Sequence, residues 1–427
     1  MKYIFLLILY ISINTTYTYS QGVVNLDTTE LISLHNFENT KHSLSFGSLG
    51  SINRSLQFNQ SHSYINTSPF FDQNMQTINS YFITKPILDA MYVIGTNNEQ
   101  YFSIFHTQKI AQNISYALLY NKKSSDGYYV NQATKHNNFQ ANISLRKLNY
   151  KAKLFYNNNS LFFEHNGGIT EDSVFISDEN IPRDRMLLDV NLEDSYEKNK
   201  NQFLGFNQEF YLIRKTDSLN KKSSQKINFN LALNQKSRFY FDSIINNSFS
   251  TSVLDSNSTN DTISQEQLLG KIYYNVQLIK DSLRITNVNL GFNSNLINHE
   301  NNLIDTSFYN ISSFINFSLS DSSFDFGFDA SYYISGYKKD DFDFKLSYNL
   351  RKNKFNIFTQ ALFQNVTPLY ELQRYIGNHN YWNIALNKQQ VLSLFTQIEY
   401  KDYKISTRYN DVFNPIYFDN NVKLSQT

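Results

Sequence analysis

The chain contains no cysteine, and only 5 prolines and 13 glycines occur among its 427 residues. The absence of cysteine excludes disulfide scaffolds, thiolate zinc sites, iron–sulfur clusters and cysteine nucleophiles. The scarcity of proline and glycine excludes collagen-like chains and Pro/Gly-rich disorder. Stability must therefore come from burial and from backbone hydrogen bonding.

The chain also has almost no net charge and no long apolar run beyond its N-terminus. Its 38 basic and 37 acidic residues give a formal charge of +1, so no net field favours nucleic acid. Mean hydropathy is −0.46, and beyond the N-terminal residues no apolar run approaches the ~20 residues of a membrane-spanning helix. A helical membrane protein is excluded. A soluble globular protein and a β-barrel with alternating lipid-facing and water-facing residues both remain.

Residues 1–20 have the composition of a secretory signal peptide. Lys2 precedes a nearly continuous apolar stretch, Ile4 to Ile13, and the small residues Thr18 and Ser20 stand before the predicted cleavage site. We expect cleavage near Ser20 and export of the mature chain. An N-terminal anchor is the alternative, which the short apolar stretch disfavours.

From about residue 90 onward, apolar and polar residues alternate with a period of two, in runs of about 9–11 residues, the length of a tilted strand that crosses a bilayer. In one run, Phe342, Phe344 and Leu346 alternate with Asp343 and Lys345. The pattern predicts strands with one apolar and one polar face. Similar runs cover Phe139–Leu145, Leu148–Tyr156, Leu204–Leu212, Ile227–Leu233, Ile272–Leu278, Val288–Phe292, Ile315–Leu319, Phe324–Tyr332 and Tyr403–Tyr409.

Three features favour a membrane barrel over a soluble β-sandwich, which also alternates. Aromatic residues make up 16 % of the chain, and on the apolar faces they stand near run ends, as at Tyr403 and Tyr409, where interfacial girdles belong. The polar faces carry full charges in mid-strand, such as Lys151 and Asp329, which a sandwich core excludes. Short polar turns also join many of the runs in pairs, as in an up-and-down meander.

Longer polar stretches alternate with these short turns, an asymmetry typical of outer-membrane barrels. We predict an all-β fold, a transmembrane antiparallel up-and-down β-barrel of roughly 16 strands over residues 86–427, preceded by a lead-in segment with the first strands over residues 21–85. The stretch Glu171 to Asn201 either folds inward as a constriction or lies outside as a surface loop, and the second interpretation is favoured. The stretches predicted to be irregular are Asn157–Ser160, Glu171–Asn201, Asp255–Gln267, Asn295–Asp305 and Asn365–Asn380.

Several short motifs follow one another between residues 80 and 215. Glu99 to Phe102 reads E-Q-Y-F, Ser125 to Gln132 reads S-D-G-Y-Y-V-N-Q, and Glu164 to Ile169 reads E-H-N-G-G-I. This succession resembles the putative porin family of Bacteroidota outer membranes. The resemblance implies an outer-membrane β-barrel with a pore function.

The end of the chain departs from that pattern. Barrels of this type usually finish with a strand that ends in an aromatic residue, whereas this sequence ends at Thr427, with Tyr417 and Phe418 some residues earlier. Either the natural terminus lies further on, so that the barrel is C-terminally incomplete, or closure is achieved differently. A sheet left open in lipid has unpaired backbone groups, each costing several kcal/mol.

Charged residues on the predicted polar faces are the candidates for lining a lumen, where rings of charge tune the passage of ions and polar solutes. Their mixed signs predict weak selectivity. The alternative, that they solvate a wide lumen or pair across adjacent strands, remains equally open. The candidates are Lys151, Lys153, Asp325, Asp329, Asp343, Lys345, Lys404 and Arg408.

No catalytic, cofactor or metal motif stands out. The sequence has no Gly-x-Ser-x-Gly, P-loop or dinucleotide fingerprint, and the histidines lack metalloprotease spacing. Asp126-Gly127 and Asn166-Gly167-Gly168 suit tight turns better than ligand binding. We therefore predict a protein without enzymatic activity or cofactor.

Two functions remain as hypotheses. The first is an outer-membrane channel for passive diffusion of small polar solutes or ions. The alternative is an outer-membrane surface binding or adhesion protein that uses Glu171–Asn201 and Asn365–Asn380 as recognition loops. The expected partners are outer-membrane lipids, the barrel assembly machinery and polar solutes but not nucleic acid, and the oligomeric state stays open.

Overall fold

The computed structural model describes residues 43–45, 53–55, 81, 83, 85–171, 185–216, 222–243, 254–280, 284–352, 354–401, 403–418 and 424–426. The predicted signal peptide, residues 1–20, and most of the predicted lead-in, residues 21–85, lie outside this part of the chain.

The central element is one antiparallel sheet of 15 strands, in which β3 to β15, β18 and β19 pair in chain order. Only between β15 and β18 does a hairpin intervene. This meander confirms the predicted all-β antiparallel fold, with 15 strands against the roughly 16 expected. The strands are β1 (Ser43–Ser45), β2 (Asn53–Ser55), β3 (Ile87–Ile94), β4 (Gln100–Ala111), β5 (Ile114–Ser125), β6 (Thr134–Arg146), β7 (Tyr150–His165), β8 (Ser195–Thr216), β9 (Lys222–Asp242), β10 (Thr259–Lys280), β11 (Arg284–Asn301), β12 (Ile304–Ser320), β13 (Phe324–Gly336), β14 (Phe342–Lys352), β15 (Phe355–Val366), β16 (Arg374–Ile376), β17 (Tyr381–Asn383), β18 (Gln389–Tyr400), β19 (Tyr403–Phe413), β20 (Ile416–Phe418) and β21 (Leu424–Gln426).

Outside the large sheet there are three small hairpins, β1–β2, β16–β17 and β20–β21. A 3-10 helix covers Arg185–Leu187, and a single helical turn, α1, covers Tyr370–Gln373. Among the described residues, no helix has the length and apolar character needed to cross a membrane.

The two faces of the large sheet differ in burial and in polarity. On β9, Ile227, Phe229 and Leu231 are exposed, whereas the alternate residues Asn228 and Ala232 are buried. We call the face of exposed apolar side chains the outward face and the other the inward face. In a soluble sandwich the apolar face is the buried one. The reverse is expected of a sheet that curls around a polar interior and presents its apolar face to lipid.

The longest strands extend beyond the part of the sheet whose outward side chains are apolar, which we call the apolar zone. β8, β9 and β10 have 22, 21 and 22 residues, about twice the 9–11 residues that a tilted strand needs to cross a bilayer. Toward the long connections the outward positions of β8 become charged and exposed, as at Lys198 and Lys200. We call this end of the sheet the loop end and the opposite end, with the tight connections, the turn end.

This extra length explains why several stretches predicted to be irregular are strands. Asn157–Ser160 lies within β7, most of Asp255–Gln267 belongs to β10, and Asn295–Asp305 is the β11–β12 hairpin. The last part of Glu171–Asn201 likewise begins β8. Above the lipid the outward face of a strand meets water and the inward face is also polar, so the alternation that marks a membrane strand disappears from the sequence.

The connections follow the predicted turn chemistry. Gly127, Gly167 and Gly168 have φ values of +85°, +65° and +86°, in the left-handed region that glycine adopts most readily. All three lie in loop-end connections, β5–β6 and β7–β8.

Apolar clusters on the inward face are small. Phe105 of β4 and Leu119 of β5 pack with Tyr81 and Ile83, which precede β3. The chain that leads into the sheet therefore lies against the inward face of β4 and β5. A second cluster joins Phe155, Phe203 and Ala232 on β7, β8 and β9.

Candidate functional site

All eight charged residues predicted for the polar face stand on the inward face, by strand register. Asp329 is opposite Lys345 in the β13–β14 ladder, and Asp343 follows on the same face of β14. Lys151 and Lys153 are on β7, six strands away in the sheet order. The fold thus distributes the charges over the inward face instead of gathering them into one ring. Whether they line a solute path stays a prediction.

Several of these charges have partners on neighbouring strands. Lys151 lies 3.7 Å from Oε2 of Glu209, which also accepts from Lys226 Nζ at 2.9 Å. Lys404 of β19 lies 3.2 Å from Glu399 of β18. These contacts correspond to the predicted alternative of pairing across strands.

The acidic candidates accept hydrogen bonds from inward neighbours. Asp325 accepts from Arg351 Nη2 at 2.9 Å, and Asp329 accepts from Asn316 Nδ2 at 2.8 Å. Asp343 accepts from the side-chain amide of Gln364. Each of these inward carboxylates is therefore hydrogen-bonded, and Asp325 is also paired with a cation.

Two of the remaining basic candidates lie over aromatic rings of the same face. Lys153 Nζ is 5.6 Å from the ring centre of Phe155, and the Arg408 guanidinium is 5.0 Å from that of Phe395. Cation–π contacts of this kind hold a cation without neutralising it.

Asparagine supplies much of the polar inward surface between these charges. Asn138 Nδ2 donates to Asn157 Oδ1 at 3.1 Å, and Asn275 Nδ2 donates to Asn289 Oδ1 at 2.6 Å. Amide pairs bridge adjacent strands without adding charge, and they present hydrogen-bonding groups toward the interior. Such a surface suits uncharged polar solutes as well as ions.

The connection between β15 and β18, residues 367–388, leaves the loop end of the sheet and crosses the inward face. We call it the strap. It includes α1 and the β16–β17 hairpin. At its start, Thr367 donates to both carboxylate oxygens of Asp341, through N at 2.8 Å and Oγ1 at 2.7 Å. At its end, Lys388 Nζ lies 2.9 Å from the same carboxylate. One buried aspartate thus holds both ends of the strap.

The middle of the strap packs on inward aromatic residues. The ring of Tyr370 lies 5.4 Å from His299 of β11, 5.7 Å from Phe308 of β12 and 6.1 Å from Tyr337, which follows β13. His299 has no exposed surface. The strap therefore covers the inward wall of these strands near the loop end.

The tip of the strap is clamped to the β9–β10 connection. Asn378, only 1 % exposed, accepts from the backbone N–H groups of Leu254 and Asp255 at 3.3 and 2.7 Å. It donates to the carbonyls of Asp255 and Ser258 at 3.0 and 3.2 Å. Its own N–H donates to Asp261 Oδ1 at 2.7 Å. β10 and β15 are five strand spacings apart, or roughly 24 Å along the sheet, so the strap spans a considerable part of the wall.

Sequence reasoning did not identify the strap. It considered Glu171–Asn201 as a segment that either folds inward as a constriction or lies outside as a surface loop, with the surface loop favoured, and residues 172–184 of that stretch lie outside the described part of the chain. A signal for the strap was present in the sequence. The single tryptophan, Trp382, and three tyrosines fall within residues 367–388, and an exposed loop rarely carries so many large rings.

A buried ion pair lies at the loop end, above the apolar zone. Arg238 Nη2 donates to Glu197 Oε2 at 2.8 Å, Asn199 Nδ2 donates to Oε1 at 2.7 Å, and His165 Nε2 lies 3.5 Å away. Burial alone raises the pKa of Glu197, but these contacts outweigh it and lower the pKa to about 2. The group joins β7, β8 and β9 where their ends leave the lipid.

In the described part of the chain, no group of three or more His, Asp or Glu side chains is arranged to hold a metal ion.

The sheet, its apolar outward face and its charged inward face define the class of protein: a membrane β-barrel protein whose polar side faces inward. The chain belongs to the family described as "Putative porin", whose model matches residues 10–427. It is an outer-membrane protein of the channel or transporter type.

Solved structures with a similar fold are outer-membrane receptors. FpvA of P. aeruginosa, solved bound to heterologous pyoverdines, matches with a TM-score of 0.53 and 8 % identity over 81 % of this chain and 52 % of that one. The ferric-catecholate import receptor Fiu of E. coli K12 matches with a TM-score of 0.49 and 9 % identity over 79 % and 60 %. The chain thus spans only about half to three fifths of these receptors. The likeness concerns the fold. A search of curated proteins found no match.

Proposed function

We propose that the protein is a passive outer-membrane channel in which small polar solutes and ions diffuse along the inward face. The observation that carries the proposal is the composition of that face, where asparagines and charges of both signs run along strand after strand. The membership of a porin family supports the same function. The proposal requires no cofactor and no catalytic step.

The strap narrows the path near the loop end. It lies on the inward side of β11 and β12, where Tyr370 covers His299, and it reaches across to Asp261 of β10. Diffusing solutes would have to pass the surface that this segment leaves open. We therefore assign to residues 367–388 the constricting role that sequence reasoning considered for Glu171–Asn201.

The alternative role in surface binding draws little support from the described residues. It uses Asn365–Asn380 as a recognition loop, yet the amide of Asn378 is engaged with the β9–β10 connection. Glu371 is also buried, at 3 % exposure. These two side chains are turned inward and would not contact a partner, whereas Arg374 and Asn380 of the same stretch are exposed.

Reconstitution into planar bilayers tests the channel. The full-length protein should give discrete conductance steps, and replacement of residues 370–383 by a short Gly-Ser linker should enlarge them. Liposome swelling with sugars of increasing size should show a higher size limit for the same variant. A folded, heat-modifiable protein without conductance steps would contradict the proposal. An unchanged step size in the linker variant would show that the strap does not constrict the channel.

The partners follow from the same proposal. The outward face would contact outer-membrane lipids, and insertion would use the barrel assembly machinery. Depletion of the barrel assembly machinery should leave the exported chain protease-sensitive and outside the membrane fraction.

A further inference from the structure

An open groove of about 630 Å³ lies on the outward face at the turn end of the sheet. It sits where the β14–β15 turn and the β18–β19 turn come side by side. Leu350, Lys352, Lys354, Phe355 and Tyr400 line it. The groove thus combines apolar walls with two ammonium groups.

The apolar wall is formed by a cross-strand pair. Phe355 and Tyr400 are directly opposite each other in the β15–β18 ladder, with ring centres 5.5 Å apart. Their side chains remain 41 % and 45 % exposed. Two adjacent, half-exposed rings beside Leu350 form a surface that gains free energy when an apolar chain covers it.

A third lysine, Lys401, lies beside the groove, next to Tyr400. The backbone N–H of Lys401 donates to the carbonyl of Lys354 at 3.2 Å, which ties the two turns together. Lys401 Nζ lies 5.4 Å from the ring centre of Tyr400. The side chains of Lys352, Lys354 and Lys401 are all exposed. Three exposed lysines therefore belong to two turns that are hydrogen-bonded to each other.

The charge around the groove is predominantly positive. Asp402, which lies outside the described residues, is the only acidic residue in the sequence of the two turns. The neighbouring Arg351 is turned to the inward face, where it pairs with Asp325. An anionic ligand is favoured over a zwitterionic one.

The depth of the groove fits a membrane boundary. The outward series of β14 runs from Phe342 to Leu350, which at about 3.3 Å per residue is ~26 Å along the strand and about 20 Å across a bilayer at a tilt of ~40°. This value approaches the ~25 Å apolar band of such barrels. Lys352 is the next outward position. Phe355 is directly opposite Lys352 in the β14–β15 ladder, so its ring and the lysine stem start at the same level, just beyond Leu350. A lysine side chain that extends away from the apolar zone brings its ammonium group to the headgroups.

We propose that this groove binds one anionic phospholipid of the leaflet at the turn end, with an acyl chain along Phe355 and Tyr400 and the phosphate on Lys352, Lys354 and Lys401. A soluble anion would use the lysines only, whereas the exposed rings call for a lipid. The inference requires that the outward face meets lipid, but it does not require that the protein conducts.

Native mass spectrometry of the full-length protein in a zwitterionic detergent tests the site, with phosphatidylglycerol and phosphatidylcholine of identical acyl chains as probes. A lysine near a surface of anionic lipid contributes about a fivefold gain in affinity. With three lysines and Asp402 nearby, we expect phosphatidylglycerol to bind at least about tenfold more tightly. The K352Q/K354Q/K401Q variant should lose this preference.

The matched control removes three exposed outward lysines at the opposite end of the sheet. K135Q/K198Q/K200Q changes the net charge equally and should keep the preference. The F355A/Y400A variant should weaken both lipids while it retains the preference for phosphatidylglycerol. Each variant should show the heat-modifiable gel mobility of the wild type, which reports the folded sheet.

Three outcomes would overturn the inference. Equal binding of the two lipids would show that the lysines do not select charge, and equal losses in the two triple variants would show a non-specific charge effect. Displacement of the lipid by millimolar inorganic phosphate would identify a soluble-anion site instead. A protein that selects phosphatidylglycerol without conducting would contradict the proposed channel but would support the lipid site.

Discussion

The side chain of Asn378 makes most of the hydrogen bonds that clamp the strap on the β9–β10 connection. Asn378→Ala removes four hydrogen bonds with backbone groups, two accepted from N–H groups at 3.3 and 2.7 Å and two donated to carbonyls at 3.0 and 3.2 Å, and a longer one donated to Thr259 Oγ1 at 3.4 Å. The contact of His379 with Thr259 and the bond from the Asn378 N–H to Asp261 stay in place. At a net value of about 1 kcal/mol each, partly recovered by water, the loss amounts to about 3 kcal/mol. The free energy that holds the strap tip against β10 should fall by this amount, and the tip should open on the order of 100-fold more often.

Hydrogen exchange measures that opening directly. The amides of Gly377 and Ile384 are hydrogen-bonded within the strap, to the carbonyls of Asn380 and Gln373 at 2.8 Å each. Their exchange should accelerate on the order of 100-fold in N378A if the clamp closes the segment, while strand amides of β10 keep their protection. Single-channel records of the same variant should show larger or noisier steps.

Asn383→Ala is the matched control, because Asn383 is an exposed asparagine on the same strap. It should leave both exchange and conductance unchanged. Identical exchange rates in the two variants would refute the reasoning that hydrogen bonds of Asn378 hold the strap closed.

Three further perturbations probe the inward face and the loop end. The K151E/K153E/K345E variant should have a reversal potential shifted toward cation preference in a KCl gradient, because each substitution replaces an inward cation on the proposed path by an anion. Glu197→Gln should lower the free energy of unfolding by about 3 kcal/mol at pH 7. Because the pKa of Glu197 is lowered from 4.5 to about 2, the stabilisation that its carboxylate gives the wild type is complete above about pH 4.5 and is lost as pH falls toward 2. Gly205→Ala should destabilise the sheet by about 1–3 kcal/mol, because its new methyl group would collide with the ring of Phe155.

Each of these predictions has its own readout. Unchanged reversal potentials would place the three lysines away from the path. Urea unfolding in detergent at several pH values should show wild type and E197Q converging at low pH, and a constant difference would contradict the assigned pKa. For G205A the control is Gly327→Ala, where the added methyl meets only the hydroxyl of Ser347, a side chain able to rotate; similar losses in both would remove the steric explanation.

The strand pattern was accessible to sequence reasoning because it depends on neighbours two residues apart. The series Phe342, Phe344 and Leu346 alternates with Asp343 and Lys345 in the sequence, and the structure places the two sets on opposite faces of β14. Where strands leave the lipid, this logic failed. Asn157–Ser160 has no apolar face, because the inward Asn157 and Asn159 are buried against Asn138 and the outward residues lie beyond the lipid, so a strand was taken for a loop.

The strap shows the other limit. Asn378 meets Asp255 and Ser258 more than a hundred positions earlier in the chain, with separations of 123 and 120 residues. No local pattern encodes such a contact. The aromatic content of residues 367–388 indicates that the segment is buried somewhere, but it does not indicate where.

The alternation of side chains along the sequence alone determined the antiparallel strands, their hairpin order and the face that each charge occupies, because lipid and water select residues one at a time along an extended backbone. Only the tertiary structure decided that the strap lies on the inward wall, that Glu197 meets Arg238, and that the β14–β15 and β18–β19 turns lie side by side. Glu197 meets Arg238 through the register of β8 and β9, and the two turns meet through the pairing of β15 with β18. Register and strand pairing join residues that are distant in the sequence, so no single segment specifies them.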